Sequence, residues 1–157
     1  FLVKLSVERP QPEELSEILR RTTGLKPPET ERVLSAEDIL DLQRLATQVL
    51  VADPLLDYVA RLVCATHPGS EDCPQSVASF IRYGSSPRGA QALLKLGKAR
   101  ALSKGRDHLA LEDVKTLAKA VFRHRIHLSF EGETEGVTPD AIVETILEEV
   151  SFEKDMD

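Results

Sequence analysis

Tryptophan is missing from this 157-residue sequence, and aromatic residues together reach only 4%. A core must therefore be built from Leu, Val, Ile and Ala, which favours helices packed on helices. Cysteine is almost as scarce: Cys64 and Cys73 make no disulfide framework. Together with His67 they could be imagined around a metal, but no second pair at zinc spacing accompanies them, so no metal site is expected. Cys64 falls on an apolar helix face and is expected to be a buried free thiol, with a reducing cytoplasm as the simplest compartment. No run of about eighteen apolar residues occurs, so no helical membrane span is expected. The opening Phe1-Leu2-Val3-Lys4 has neither the charged leader nor the cleavage site of a signal peptide, and the lack of an initiator Met points to a piece of a longer chain. Positive charge is also in deficit, with 20 basic against 26 acidic residues and a net charge of −6. A protein that grips a phosphate backbone needs a broad basic surface, so a DNA-binding helical domain is disfavoured; a salt-dependent shift with duplex DNA would revive it. What remains, 41% hydrophobic and 29% charged, is an ordinary globular composition.

Residues 1–7 alternate loosely and predict a short strand, which Pro10 and Pro12 end. Pro12-Glu13-Glu14 opens a helix running to about Arg21, with acidic residues on its first turn. Gly24-Leu25-Lys26-Pro27-Pro28 reads as a breaker and extended linker, and a lone strand and helix cannot form a core by themselves. From Ser35 the pattern is helical. Ser35 is a plausible N-cap, and Ile39, Leu42, Ala46 and Val49 recur at helical spacing. Asp53-Pro54 opens a helix with an apolar face of Leu55, Leu56, Val59, Leu62 and Val63; His67-Pro68-Gly69-Ser70 breaks it, and a polar loop runs to about Gln75. Ser86-Pro87 opens the next, with Ala90, Leu93, Leu94, Gly97 and Ala101 on one face and Gly105 as its stop. Gly97 and Ala101 are small enough to admit a neighbouring helix closely. A fourth helix covers roughly residues 111–122, and Thr138-Pro139 caps a last one carrying Ile142, Ile146, Leu147 and Val150, after a loop at 131–137. Residues from Ser151 look like a frayed acidic tail.

Gly84-Ser85-Ser86-Pro87-Arg88-Gly89 is the most informative segment, because it sets a capped helix N-terminus and a guanidinium at one spot. Free N–H groups and the positive end of a helix dipole favour an anion there, and Arg88 adds a charge with bidentate geometry suited to phosphate. A plain Ser-Pro helix start with an exposed arginine explains the same residues equally well. Arg123-His124-Arg125 follows the fourth helix; it either complements the helix dipole or makes a basic contact beyond it. Tyr58 is either an amphipathic core residue or part of a binding pocket, with the core the better account. Lys95, Lys98, Arg100 and Lys104 form a basic face that most often would be solvated.

Taken in order, Tyr83-Gly84-Ser85-Ser86-Pro87-Arg88, Ala92-Leu93-Leu94, Lys98-Ala99-Arg100-Ala101-Leu102 and Gly105-Arg106-Asp107 resemble the lid signature of MoxR-type AAA+ ATPases, relatives of the magnesium-chelatase ATPase subunit. Glu112-Asp113-Val114, Arg123-His124-Arg125-Ile126 and Gly136-Val137-Thr138-Pro139-Asp140 continue it, and Asp57-Tyr58-Val59, Leu62-Val63 and Ala65-Thr66 are similar to the second lid helix. Phe1-Leu2-Val3-Lys4-Leu5 is similar to the strand that closes the nucleotide-binding core, so the resemblance spans nearly the whole chain. Two departures stand out. Ala110-Leu111 replaces a Thr-Pro helix start, removing a cap worth about 1 kcal/mol, and Gly89 replaces an alanine, which would loosen the first turn.

The resemblance implies an all-α helical bundle, the AAA+ lid, with a short strand and helix left over from an α/β core. It divides the chain into the end of the core at residues 1–24, a linker at 25–34, the lid at 35–150 and a tail at 151–157. It assigns Arg88 as the sensor-2 arginine, catalytic only in the intact ATPase, with Ser86, Arg88, Tyr58, His124 and Arg125 as the implied nucleotide contacts. ATP and Mg are its implied cofactors. Its implied partners are the chain's own AAA+ core, neighbouring subunits of a hexamer and a von Willebrand factor A-domain protein, in chaperone-like remodelling of client proteins. Yet no Gly-x-x-x-x-Gly-Lys-Ser/Thr loop occurs. Val49-Leu50-Val51-Ala52-Asp53 only superficially resembles a Walker-B strand, since Pro54 stands where a glutamate is needed; a helix end followed by an Asp-Pro cap explains it better. The chain alone is therefore expected to hydrolyse no ATP. The competing class is a free-standing helical adaptor without a nucleotide. An adaptor should use residues 1–7 internally, whereas a piece of an ATPase would leave that strand unpaired, disordered or paired with another copy.

Overall fold

The computed structural model describes residues 1–24 and 29–152. Residues 25–28, the first part of the expected linker, and the tail beyond Phe152 lie outside the described residues. In chain order come α1 (Pro12–Thr22), α2 (Ala36–Gln48), α3 (Asp53–Ala65), α4 (Gln75–Ala78), β1 (Ile81–Tyr83), α5 (Pro87–Ser103), α6 (Leu111–Phe122), β2 (His127–Leu128), α7 (Phe130–Thr134) and α8 (Pro139–Glu149). The fold is mainly helical, with β1 and β2 forming a two-stranded antiparallel sheet, Ile81 facing Leu128 and Tyr83 facing His127 across a bulge.

Local chemistry sets the helix starts. Ser35 Oγ accepts from Asp38 N at 3.0 Å while Asp38 Oδ2 accepts from Ser35 N at 2.7 Å, a reciprocal cap that opens α2. Thr138 Oγ1 accepts from Ala141 N at 3.2 Å and Pro139 fixes the first turn of α8. At α3 the cap position is Ala52, with Asp53 already inside the helix, so no side chain caps it. Gly105, just beyond α5, has φ +70°, a left-handed conformation that a side chain would resist.

The core is where α3, α5, α6 and α8 meet: α5 packs on α6, α3 and α2, and α8 packs on α6 and α3. Leu62, Leu93, Val114, Phe122, Ile142 and Ile146 are fully buried there, as the helical spacing of apolar residues requires. Gly97 is buried, but Leu109, rather than a backbone of another helix, fills the space beside it.

Several expectations fail. Residues 1–11 form no strand; the segment has no regular structure and bonds to the end of α6 through Lys4 N and Ala120 O at 2.9 Å. Cys64 is exposed, and the buried thiol is Cys73; the apolar face of α3 is narrower than the periodicity implied. Neither α1 nor α2 buries a residue, and Ile39 and Leu42 remain 48% and 42% exposed. Only Val49, at the end of α2, reaches the core. Residues 49–52 are an extended connector that pairs Leu50 with His108, Leu50 N donating to Asp107 O at 2.8 Å and Leu109 N to Leu50 O at 2.9 Å. α7 begins at Phe130 and takes up the first part of the loop expected at 131–137, and the polar stretch before Gln75 leads into α4. Ser151 and Phe152 are held, not frayed: Arg61 Nη2 donates to both carbonyls, at 2.8 and 3.4 Å.

Candidate functional site

The start of α5 is anchored from the end of α3. Thr66, without exposed surface, donates its hydroxyl to Val63 O at 2.6 Å and accepts Ser85 N at 2.8 Å. His67 Nε2 donates to Ser85 O at 3.0 Å, which requires the Nε2–H tautomer. Ser85 is itself fully buried. Gly84 is what lets these strands of chain approach: a Cβ there would overlap the Thr66 carbonyl oxygen and lie 2.6 Å from Thr66 Oγ1. Because the obstacle is main chain, Gly84→Ala is expected to destabilise the fold by about 1–3 kcal/mol, read as a lower midpoint of chemical denaturation. Gly89 is similarly confined, since a Cβ would overlap Ser85 Oγ and lie 3.2 Å from the Phe122 ring. The nearest obstacle is the rotatable Ser85 hydroxyl rather than main chain, so an alanine here would require Ser85 to turn aside.

On this support Arg88 stands exposed, with no hydrogen bond or ion pair among the described residues. Ser86 occupies the cap position, but its hydroxyl does not cap, contrary to the expectation of a side-chain cap; the turn is instead closed by Gly89 N donating to Ser86 O at 2.7 Å. A helix of 17 residues therefore carries an unengaged guanidinium on its first turn, where its own positive end lies. Such an arrangement can take a phosphate without first breaking a contact.

The contact of Gly89 with Phe122 places the start of α5 beside the end of α6. Arg123, His124 and Arg125 follow immediately, so the structure gathers them at the same end of the bundle as Ser86 and Arg88. Their chemistry differs from Arg88's. Arg123 grips Asp140 through Nε at 3.0 Å and Nη2 at 2.7 Å, joining α6 to the first turn of α8. Arg125 donates to the carbonyls of Val121, Phe1 and Leu2. Both ring nitrogens of His124 are buried without a hydrogen-bond partner, and burial first, then the charge of Arg125, pushes its pKa down. Tyr58 is not part of this cluster. It has no exposed surface, its ring meets Phe152 edge-on at 5.5 Å, and burial raises the pKa of its unpartnered hydroxyl. The core account of Tyr58 is therefore the one the packing supports, and as placed its ring is closed to a ligand.

Sequence reading missed the ion cluster that fixes the other end of α5. Asp113 is fully buried; it accepts from Arg106 Nη1 and Nη2 at 2.8 and 2.7 Å and from Ala110 N at 3.0 Å, which also compensates for the uncapped Ala110. Arg100 Nε lies 3.1 Å from Asp113 Oδ1 without hydrogen-bond geometry, and its Nη2 meets Glu112 at 3.1 Å. Arg100 thus leaves the supposed solvated basic face, as does Lys98, which donates to Thr47 O at 3.2 Å. The signal was present: Arg106 and Asp113 both sit in the quoted motifs, seven residues apart. Among the described residues no group of three or more His, Cys, Asp or Glu is placed to hold a metal, and no helix is long and apolar enough to cross a membrane.

Comparison with known proteins agrees with this architecture. The AAA lid domain family matches residues 75–146, the stretch from α4 into α8 that contains the Arg88 turn and the Asp113 cluster. The chain is 34% identical to the chaperone MoxR1 of Mycobacterium tuberculosis over 97% of its own length and 40% of the relative's. It is 28% identical to the protein MoxR of Methylorubrum extorquens over 69% of its length and 36% of that protein's. A crystal structure of a candidate ATPase from Cytophaga hutchinsonii superposes on 98% of the chain with a TM-score of 0.89 and 32% identity, covering 47% of that structure's chain. The chain thus spans less than half the length of each of these relatives. A helical lid carrying this signature, matched along nearly its whole length by such proteins, belongs to the MoxR-type AAA+ ATPases and corresponds to their C-terminal portion.

Proposed function

We propose that this chain is the lid module of an ATP-hydrolysing machine, and that Arg88 is the sensor through which the lid feels the terminal phosphate of ATP bound to the core. The observation that carries the reading is an exposed, unpaired guanidinium on the first turn of a helix whose start is fixed by Thr66, His67 and Gly84. A positioned arginine stabilises charge on a phosphoryl group in transit and costs no rearrangement at the moment of reaction. Arg88, with the turn at Ser86, would hold the phosphate end of ATP. Magnesium would be held elsewhere in the intact protein, since this chain contributes neither a phosphate loop nor a Walker-B carboxylate pair. When bound, ATP·Mg supplies the phosphoryl group and its charge neutralisation; the lid's own residues orient and close.

On this reading ATP binding closes the lid on the core and hydrolysis reopens it, within a ring of subunits that remodels client proteins in the cytoplasm, with a von Willebrand factor A-domain protein as a partner. Tyr58, which is enclosed, and Arg125, which already holds carbonyls, are on this reading not offered to the nucleotide, and His124 is assigned no contact.

The adaptor reading draws on the docking of residues 1–7 against α6, which is internal use of that segment. It leaves Arg88 without a purpose, and superposition of 98% of the chain on a candidate ATPase supports the lid reading instead. Turnover assays discriminate. The 157-residue chain alone should release no phosphate from ATP, whereas the intact parent should hydrolyse it. Robust hydrolysis by the chain alone, or none by the parent, refutes the proposal.

A further inference from the structure

Residues 1–7 stay on the bundle although their side chains give little reason to. Phe1, Leu2, Leu5 and Val7 are exposed, and only Val3 packs partly against the core. Main-chain contacts supply the attachment. Arg125 Nη2 donates to Phe1 O at 2.7 Å, Arg125 Nη1 to Leu2 O at 3.2 Å, and Arg123 Nη1 to Lys4 O at 3.4 Å, while Lys4 N donates to Ala120 O at 2.9 Å. Each arginine is itself fixed from behind. Arg123 is locked to Asp140, and Arg125 also donates to Val121 O of α6. A guanidinium can reach several carbonyls at once because its donors lie in a planar fork. Charge-assisted bonds of this kind outlast neutral ones.

We propose that Arg125, supported by Arg123, is a positioning clamp that fastens the segment before α1 to the lid by its carbonyl groups, independently of that segment's side chains. The clamp sits directly after Phe122, whose ring packs beside Gly89 at the start of α5. The docked segment is thus connected, by way of Arg125, α6 and Phe122, to the helix turn that presents Arg88. The docking itself does not depend on ATP hydrolysis, so it stands or falls apart from the sensor assignment. It also gives the basic turn at 123–125 a use that the nucleotide reading does not.

Amide hydrogen exchange on the 157-residue chain tests this, since the α3, α5, α6 and α8 core is contained within it. In Arg125→Gln the Lys4 amide should exchange about 10- to 100-fold faster, the range for losing hydrogen bonds to a charged donor, while amides of Leu93 and Ala118 keep their protection. Deleting Phe1 and Leu2 removes the acceptors and should accelerate Lys4 equally, and the two changes combined should do no more than either one. Arg125→Lys, which keeps charge but lacks the fork, should recover only part of the protection. An unchanged Lys4 rate in Arg125→Gln overturns the clamp. So does additive behaviour of the two changes, or parallel loss of protection at Leu93 and Ala118, which would make Arg125 a support of the lid's own fold. Should Arg125→Gln fail to fold, the deletion alone decides: an unaltered Lys4 rate overturns the clamp, and an accelerated one with an intact core supports it.

Discussion

Arg88→Ala in the intact ATPase is expected to lower ATP turnover by about 100- to 1,000-fold, the effect typical of removing one preorganised donor to transition-state charge. Thermal stability should hardly move. Arg88 is exposed and unpaired, and surface substitutions of that kind usually stay within about 0.5 kcal/mol. Turnover measured beside the unfolding midpoint separates the two effects. Arg88→Lys should recover part of the rate, because a point charge remains where a bidentate fork was. Wild-type turnover in Arg88→Ala would remove the sensor role.

The second large effect is on stability. Arg106→Ala leaves the fully buried Asp113 with Ala110 N and the poorly aligned Arg100 Nε as its neighbours. The remaining carboxylate stays dehydrated with less compensation, an effect moderated because Arg106 is itself partly exposed and Arg100 stays close. A drop in melting temperature on the order of 5 °C should follow. The hydrogen bonds from Arg106 hold the Asp113 carboxyl below its ordinary range despite the opposing effect of burial, with Ala110 N and the charge of Arg100 assisting. A carboxyl depressed on folding stabilises above its unfolded value and loses that contribution as pH falls through the folded one. The stabilisation should thus be complete above about pH 4 and drain away in acid. In Arg106→Ala this acid-dependent loss should be smaller. A melting temperature equal to wild type at neutral pH would show that the cluster is dispensable.

Features written in local chemistry were legible before the structure. The span of α6, residues 111–122, follows from its period, and Ser35, Thr138 and Gly105 mark helix ends by caps and a left-handed glycine. Features that depend on distant partners were not. β1 and β2 have three and two residues, too few to show alternation, and Tyr83 meets His127 across two intervening helices. Cys64 shares the periodicity of α3, but which neighbours cover that face is decided by α5 and α8. At the candidate site, the Arg88 turn could be read as anion-friendly from six residues. Its anchoring by Thr66 and His67, and the engagement of Arg125 with residues 1–2, needed the fold. Nothing in the spacing of Arg123, His124 and Arg125 distinguishes a guanidinium that awaits a phosphate from one already holding carbonyls.

The most direct measurement is a structure of the intact protein with a non-hydrolysable ATP analogue bound. A nitrogen of the Arg88 guanidinium should lie at about 2.7–2.9 Å from an oxygen of the terminal phosphate. A terminal phosphate met by another cation, with Arg88 still in solvent, would contradict the sensor assignment.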